Sequence, residues 1–310
     1  MRLALAGDTM LGRGVAERLS SAAPESLVAP EVVAAAREAD LFVLNLECCV
    51  SERGSPARGR VFHFRAPPAA AGTLLHLGVD CVTLANNHAL DFGQDALLDT
   101  FEHLKRAGIP WVGAGPGVER AREPIVLETG GFRLAVIGVT DHPPEYAPYV
   151  AYADLLNVAV PGWLREAVRT AEADAVLVSP HWGPNMTPEP VPHVRAAARE
   201  LVEAGATLVA GHSAHVFHGV EGRVLYDLGD FLDDYRTDPV LRNDLGLFWL
   251  VDLGADGPKR IEALPLALDY CYTRVADGED FDWIRRRFRA ACAAFGTEVT
   301  EEGGRLVVRY

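Results

Sequence analysis

The sequence lacks any hydrophobic run approaching the ~20 residues that a bilayer-spanning helix needs. Its start offers only Arg2 and the short apolar stretch 3–6 before Gly7 and Asp8, too brief for a signal peptide. The cytoplasm is therefore the expected compartment, with no membrane anchor. Cysteine is scarce: Cys48, Cys49, Cys81, Cys271 and Cys292 make an odd total of 5, with no CxxC pair. That argues against a disulfide framework. Cys48 and Cys49 directly follow Glu47, so a thiolate ligand stands beside the plainer reading of small buried residues. Basic charge is also in short supply. Carboxylates outnumber Lys and Arg 43 to 29, leaving a formal net charge of −14. A nucleic-acid surface needs a basic stripe. The longest basic run, Arg285, Arg286, Arg287 and Arg289, falls on an amphipathic helical pattern as its solvated face.

What is present is a soluble-protein composition, 49% hydrophobic and 23% charged over 310 residues, enough chain for a large core. Short apolar runs alternate with stretches of helical period, the pattern of an α/β protein. Strands are expected at residues 3–6, 41–46, 81–85, 134–139, 175–179, 207–210 and 224–227, mostly as continuous apolar runs of the kind covered on both faces. Helices are expected at 95–107, stopped by Gly108 and Pro110, and at 191–204, ended by Gly205. Beyond Asp227 the texture changes to strands at 246–253 and 261–268, a helix at 281–295, and a hairpin over 297–310 turning at Gly303 and Gly304. A similar hairpin surrounds Gly130 and Gly131. With no internal repeat and no low-complexity linker, the expectation is a single domain, 1–310, of two stacked sheets. Two proline-rich segments, 141–161 and 184–192, each follow an expected strand, where α/β proteins place ligand loops.

The polar residues fall in a pattern. One apolar run after another ends in a side chain able to bind a metal: Asp8 after 3–6, Glu47 after 41–46, Asn86, Asn87 and His88 after 81–85, His181 after 175–180, His212 and His215 after 207–210. In an open α/β sheet the carboxyl ends of the strands share one edge, so these residues converge in space. Two carboxylates, an amide and three imidazoles are costly to bury without a partner, and divalent cations are the natural one. Singly, each residue has a bland reading: Asp8 as a helix N-cap, Asn86 and Asn87 as turn formers, His181 as a core histidine. Jointly, five independent turns would all have had to choose ligand-type residues.

The segments Gly7-Asp8-Thr9-Met10-Leu11, Asn45-Leu46-Glu47, Phe64-Arg65-Ala66-Pro67, Ala85 through Gly93, His181-Trp182-Gly183 and Gly211-His212-Ser213-Ala214-His215 resemble the CapA family of poly-γ-glutamate capsule synthesis proteins. That family lies within the calcineurin-like metallophosphoesterase superfamily. The resemblance runs from Leu3 to about Tyr235, and no motif is assigned after Arg236. It implies a four-layer α/β/β/α sandwich of two mixed sheets and two divalent ions, manganese, iron or zinc. It implies Asp8 and His215 on the first metal, Glu47 bridging, and Asn87, His181 and His212 on the second. His88, steered by Asp91, would act on the phosphate, with Asn86 and Arg65 as substrate contacts. The implied activity is hydrolysis of a phosphate mono- or diester by hydroxide generated at the metals. The alternative is a non-catalytic or amide-hydrolysing accessory role in polymer synthesis. The substrate would be a small or polymeric phosphorylated or anionic molecule.

Three departures from the pattern matter. Met10 stands where the superfamily carries a histidine, which leaves the first metal short of a ligand and its site weak; His142 and His218 are candidates to replace it. The last motif carries one extra residue between its histidines, as in CapA proteins. Asp227 and Asp230 stand where Ser and Asn are common, as supports for the histidines or as turn caps. Metal analysis of the purified chain is expected to return manganese, iron or zinc at one to two ions per chain; a metal-free preparation that takes up none on addition would refute the ligand reading.

Overall fold

The computed structural model describes residues 1–157 and 159–310; Val158, inside the 141–161 segment, lies outside the described residues. The first sheet is ordered Thr300–Glu302, Arg305–Arg309, Gly257–Asp269, Leu245–Gly254, Arg2–Thr9, Leu41–Leu46, Cys81–Thr83, Trp111–Val112. Two strands lie off that path: Asp230–Leu232 beside Arg2–Thr9, and Tyr272–Val275 beside Gly257–Asp269. The second is ordered Val220–Glu221, Val224–Leu225, Leu208–Ala210, Ala175–His181, Phe132–Thr140, Ile125–Thr129. Both are mixed. Arg2–Thr9 runs parallel to Leu41–Leu46 and antiparallel to Leu245–Gly254, with Leu3 opposite both Leu41 and Val251.

Strand alternation builds the layers. Leu3 and Leu5, Leu41 and Val43, Leu134 and Val136, Leu177, Leu208 and Trp249 pack into one core between the sheets. The alternate residues Ala4, Ala6, Phe42, Leu44, Phe248 and Leu250 face outward, into a second core with the helices Pro30–Ala36, Ala70–Leu77 and Gln94–Ala107. On the far side Ala135, Ile137, Val176, Val178 and Val209 pack under the helices Gly162–Thr170 and Pro192–Glu203. The α/β/β/α layering expected from the sequence is present.

The segment from Leu245 onward extends this core. Leu245–Gly254 and Gly257–Asp269 extend the first sheet directly from its amino-terminal strand. The helix Gly278–Ala293 buries Ile284, Phe288 and Cys292 into the inter-sheet core, with Phe288 edge-on to Trp249 at 5.5 Å. The basic run on this helix is only partly solvated: Arg287 lies over the rings of Phe217 and Trp283, and Arg285 pairs with Asp282 and Glu301. Among the described residues no helix is long and apolar enough to cross a membrane.

Some boundaries differ from expectation for local reasons. The strand expected over 81–85 ends at Thr83, because the Asn86 amide bonds back to the Leu84 carbonyl at 2.9 Å and turns the chain. The helix Gln94–Ala107 ends as expected on Gly108, whose φ of 71° releases the backbone without a Cβ clash. The short helix Ala70–Leu77 and the three-residue strand Asp230–Leu232 give too little periodic sequence to be read in advance.

Gly7 shows how tightly the site is seated. A Cβ there would sit 1.9 Å from the Gly229 carbonyl oxygen, which accepts a hydrogen bond from the Asp8 amide at 3.0 Å. Gly7→Ala must therefore push the Asp230–Leu232 strand away from Asp8. We expect a loss of about 1–3 kcal/mol, as for overpacked cores, read as a lower urea midpoint with unchanged slope. An unchanged midpoint would show that the strand moves freely.

Candidate metal centre

The carboxyl ends of parallel strands from both sheets meet at one edge of the sandwich. The first sheet delivers Asp8, Glu47, Asn87, His88 and Asp230; the second delivers His181 and His212, paired across a parallel bridge, with His215 following. Asp8 lies at the centre. Its Oδ1 is 3.7 Å from His181 Nδ1 and 3.6 Å from His212 Nδ1, and its Oδ2 is 3.3 Å from His215 Nδ1. His215 Nδ1 is also 2.8 Å from Asp230 Oδ1. Two donor sets result, Asp8 with His181 and His212, and Asp8 with His215 and Asp230. Asp8 is common to both sets, whereas Glu47, expected from the resemblance as the bridge, belongs to neither. Glu47 faces the other ring nitrogens, with Oε1 3.9 Å from both His181 Nε2 and His88 Nε2, while Oε2 accepts from the Tyr235 hydroxyl at 3.2 Å.

Four buried acceptors at this edge have no hydrogen-bond partner among the described residues: Glu47 Oε1, Asn87 Oδ1, Asp230 Oδ2 and Asp233 Oδ2. Buried oxygens of this kind are met by water, by an ion, or by a catalytic role, or else carry strain. Burial raises the proton affinity of Asp8, Glu47, Asp227 and Asp230, and the negative charge of their neighbours raises it further for the last three. Asp233 is pushed up to about 6 by burial. For His215, burial alone would lower the pKa, but Glu47, Asp8, Asp227 and Asp233 outweigh it and the pKa ends raised. His181 and His212 go the other way: burial, with cationic neighbours adding to it, lowers His181 far below its ordinary value and brings His212 to about 3. Neutral imidazoles beside carboxylates that resist ionisation are the donor chemistry a divalent cation suits. The residues present fit such an ion.

A chain of buried amides fixes the geometry. Asn45 Nδ2 donates to Asp8 Oδ1 at 2.7 Å, and Asn86 Nδ2 donates to Asn45 Oδ1 and the Leu46 carbonyl, both at 2.9 Å. Asn86 Oδ1 accepts the His88 amide at 3.0 Å. The side chain of Asn86 is therefore consumed inside the protein and is not presented to a substrate. His88 Nδ1 is held 2.6 Å from Asp91 Oδ2, and Asp91 also accepts from the Phe64 amide at 2.7 Å and Arg60 Nη1 at 3.0 Å.

The remaining sequence candidates divide. Arg65 turns away: strand alternation sends Phe64 toward His88, ring centroids 3.9 Å apart, and puts the Arg65 guanidinium over Phe92 in a separate hollow. His142 lies beside the cluster, its ring 5.1 Å from that of His181 and its Nδ1 on Asp141. His218 does not; its Nε2 bonds the Thr187 carbonyl. Met10 is fully buried in the helix-side core, its sulfur accepting the Gly12 amide. Cys48 and Cys49 are buried thiols, Cys49 pushed up to about 12 by burial, and neither belongs to the donor sets. Tyr235 and Arg13 were given no role from the sequence, and Asn45 stood only as part of the Asn45-Leu46-Glu47 segment. A polar Asn45 inside an apolar strand was the one visible signal.

A family model described as bacterial capsule synthesis protein PGA_cap matches residues 2–235. The chain belongs to that family. The match takes in every residue of the two donor sets and Tyr235. Among relatives of this PGA_cap chain, a probable polyglutamine synthesis accessory protein of Mycobacterium tuberculosis is 28% identical over 365 aligned positions, covering 98% of this chain and 94% of that one. The PGA biosynthesis protein CapA of Bacillus subtilis is 28% identical over 240, covering 74% and 62%. Among solved structures, a hypothetical protein from Thermus thermophilus aligns over 89% of this chain and 96% of its own, with TM-score 0.49 and 21% identity. A putative 5'-nucleotidase from Staphylococcus aureus aligns over 92% and 57%, with TM-score 0.47 and 14% identity.

The raised carboxyl groups set a sign for metal binding. A carboxyl whose folded pKa is raised stabilises the fold below its unfolded value near 4 and loses that contribution as pH climbs toward the folded value. A cation must displace those protons, so its binding strengthens over the same climb. The rise in Tm on adding manganese to chelator-treated protein is expected to be larger at pH 8 than at pH 5. Equal rises at both would place the bound ion elsewhere.

Proposed function

We propose that this chain is a divalent-metal-dependent phosphoesterase, hydrolysing a phosphate mono- or diester. The observation that carries the reading is the His88–Asp91 pair placed against the donor sets: Nε2 of a buried histidine looks toward Glu47 while Nδ1 is pinned at 2.6 Å to a fully buried carboxylate. Carboxylate–histidine pairs also orient metal ligands, but His88 belongs to neither donor set, which frees its ring for a substrate. Above His88 and His215 opens a hollow of about 510 Å³, walled by Phe62, Phe64, Tyr235 and Arg13, with room for a phosphoryl group and part of its ester.

Asp8, His181, His212, His215 and Asp230 would hold the ions, with Glu47 and Asn87 offering their unpartnered oxygens. A bound divalent ion supplies Lewis acidity toward the phosphoryl oxygens and lowers the pKa of a water. The protein's own share begins with excluding solvent, since the donors are almost fully buried. Asp91 holds the proton of His88 on Nδ1, leaving Nε2 toward the hollow. Burial lowers the proton affinity of His88, and an anionic ester beside Nε2 raises it again, so the ring takes up a proton as substrate enters and passes it to the leaving oxygen. Tyr235, through its hydroxyl on Glu47 Oε2, fixes the rotamer of that carboxylate.

A second reading, an accessory protein of polymer assembly, is favoured by the names of the Mycobacterium and Bacillus relatives. The two separate in an assay of phosphate release from mono- and diesters with manganese, iron or zinc. Inactivity with every ion supports the accessory role, and release of glutamate from a glutamate polymer supports amide hydrolysis. In an active preparation, His88→Ala is expected to lower turnover by ~10²–10⁴-fold while metal content stays unchanged. Turnover equal to wild type would remove His88 from the mechanism.

A further inference from the structure

Arg13 combines three features that no role in folding explains together. It is the first residue of the helix Arg13–Leu19 and adopts a φ of 47°, left-handed backbone that non-glycine residues rarely take and that surrounding structure must enforce. That conformation lays the guanidinium among three rings, 5.5 Å from the centroid of Phe62, 5.3 Å from Phe64 and 5.7 Å from Tyr235, on the wall of the hollow above His88 and His215. The fork is half used. Nε and Nη2 grip the buried Asp234 carboxylate at 3.1 and 2.7 Å, and Asp234 also accepts the Gly14 amide at 2.9 Å. Nη1 has no acceptor among the described residues.

We propose that Arg13 is the oxyanion clamp of this site, holding an anionic oxygen of the substrate through its free Nη1 edge while Asp234 fixes the plane of the guanidinium. The surroundings call for such a group. Directly behind His88 and His215 lie the carboxyl groups of Glu47 and Asp230, which repel an anion unless positive charge stands near. Arginine suits this role because its charge persists at every working pH, and because one edge can stay on Asp234 while the other binds the ligand. Phe64 links the clamp to the chemistry, with one ring contacting both Arg13 and His88. Asp234 is a positioning residue that touches no substrate. The proposal draws on the phosphoesterase reading only for the identity of the anion; a carboxylate-bearing ligand would meet the same edge.

The test is calorimetric titration of inorganic phosphate, and separately of glutarate, into the manganese-loaded full chain. Wild type is expected to bind phosphate more tightly than glutarate, and Arg13→Gln to weaken phosphate by about 10–100-fold, the size of a lost charge-assisted contact. Phosphate affinity unchanged in Arg13→Gln overturns the clamp, as does a wild type that binds neither anion. Glutarate bound more tightly than phosphate, and still lost in Arg13→Gln, upholds the clamp while removing the phosphoester reading. Should Arg13→Gln unfold at the assay temperature, Arg13→Lys carries the test. It keeps the charge but not the two-edged fork, so an affinity equal to wild type overturns the proposal.

Discussion

Asp8, Glu47, Asp227, Asp230 and Asp233 bring their carboxyl groups out of water within a single cluster, and the cost of burying that much like charge constrains everything around it. Each group pushes its neighbours toward the protonated state, and one raised imidazole, His215, does not balance them. The arrangement is tolerable only with added positive charge or with protons retained. The neutral His181 and His212, the unpartnered oxygens of Glu47, Asn87, Asp230 and Asp233, and the amide chain that orients Asp8 together make a site that could hold a cation in place of those protons.

The fold meets that requirement by opposing two sheets whose parallel strands end at a common edge. Neither sheet holds a donor set alone: Asp8 and Asp230 come from one, His181 and His212 from the other, and the packed core of Leu3, Leu5, Leu134, Leu177 and Trp249 holds the two in register. The absent histidine at position 10 reads differently in this light. The Met10 sulfur is turned into the helix-side core, and Asp230, carried by a short strand parallel to the first, stands against His215 instead. Around this centre His88 is held on Asp91, and Arg13, Phe62 and Tyr235 line the same hollow.

Much of this was legible in the sequence. The alternation of apolar runs with helical periods determined an α/β molecule, because strands covered on both faces must be continuously apolar. The endings of those runs brought Asp8, Glu47, Asn87, His181, His212 and His215 to one edge, since strand ends converge; of these, Asp8, His181, His212 and His215 fall in the candidate donor sets. Tertiary structure decided what depends on direction and on distant partners. Strand alternation turned Arg65 away and brought Phe64 in. Hydrogen bonds to Asn45 and Leu46 took Asn86 out of reach of a substrate. Asp8 stands in both donor sets because Oδ1 faces His181 and His212 while Oδ2 faces His215, and Asp230 joined it through a parallel pairing across 222 residues of chain, a contact that local sequence cannot encode. Arg13 became visible only with its left-handed backbone and its ion pair with Asp234, because a lone arginine after a glycine carries no periodicity, while its orientation depends on a residue far along the chain.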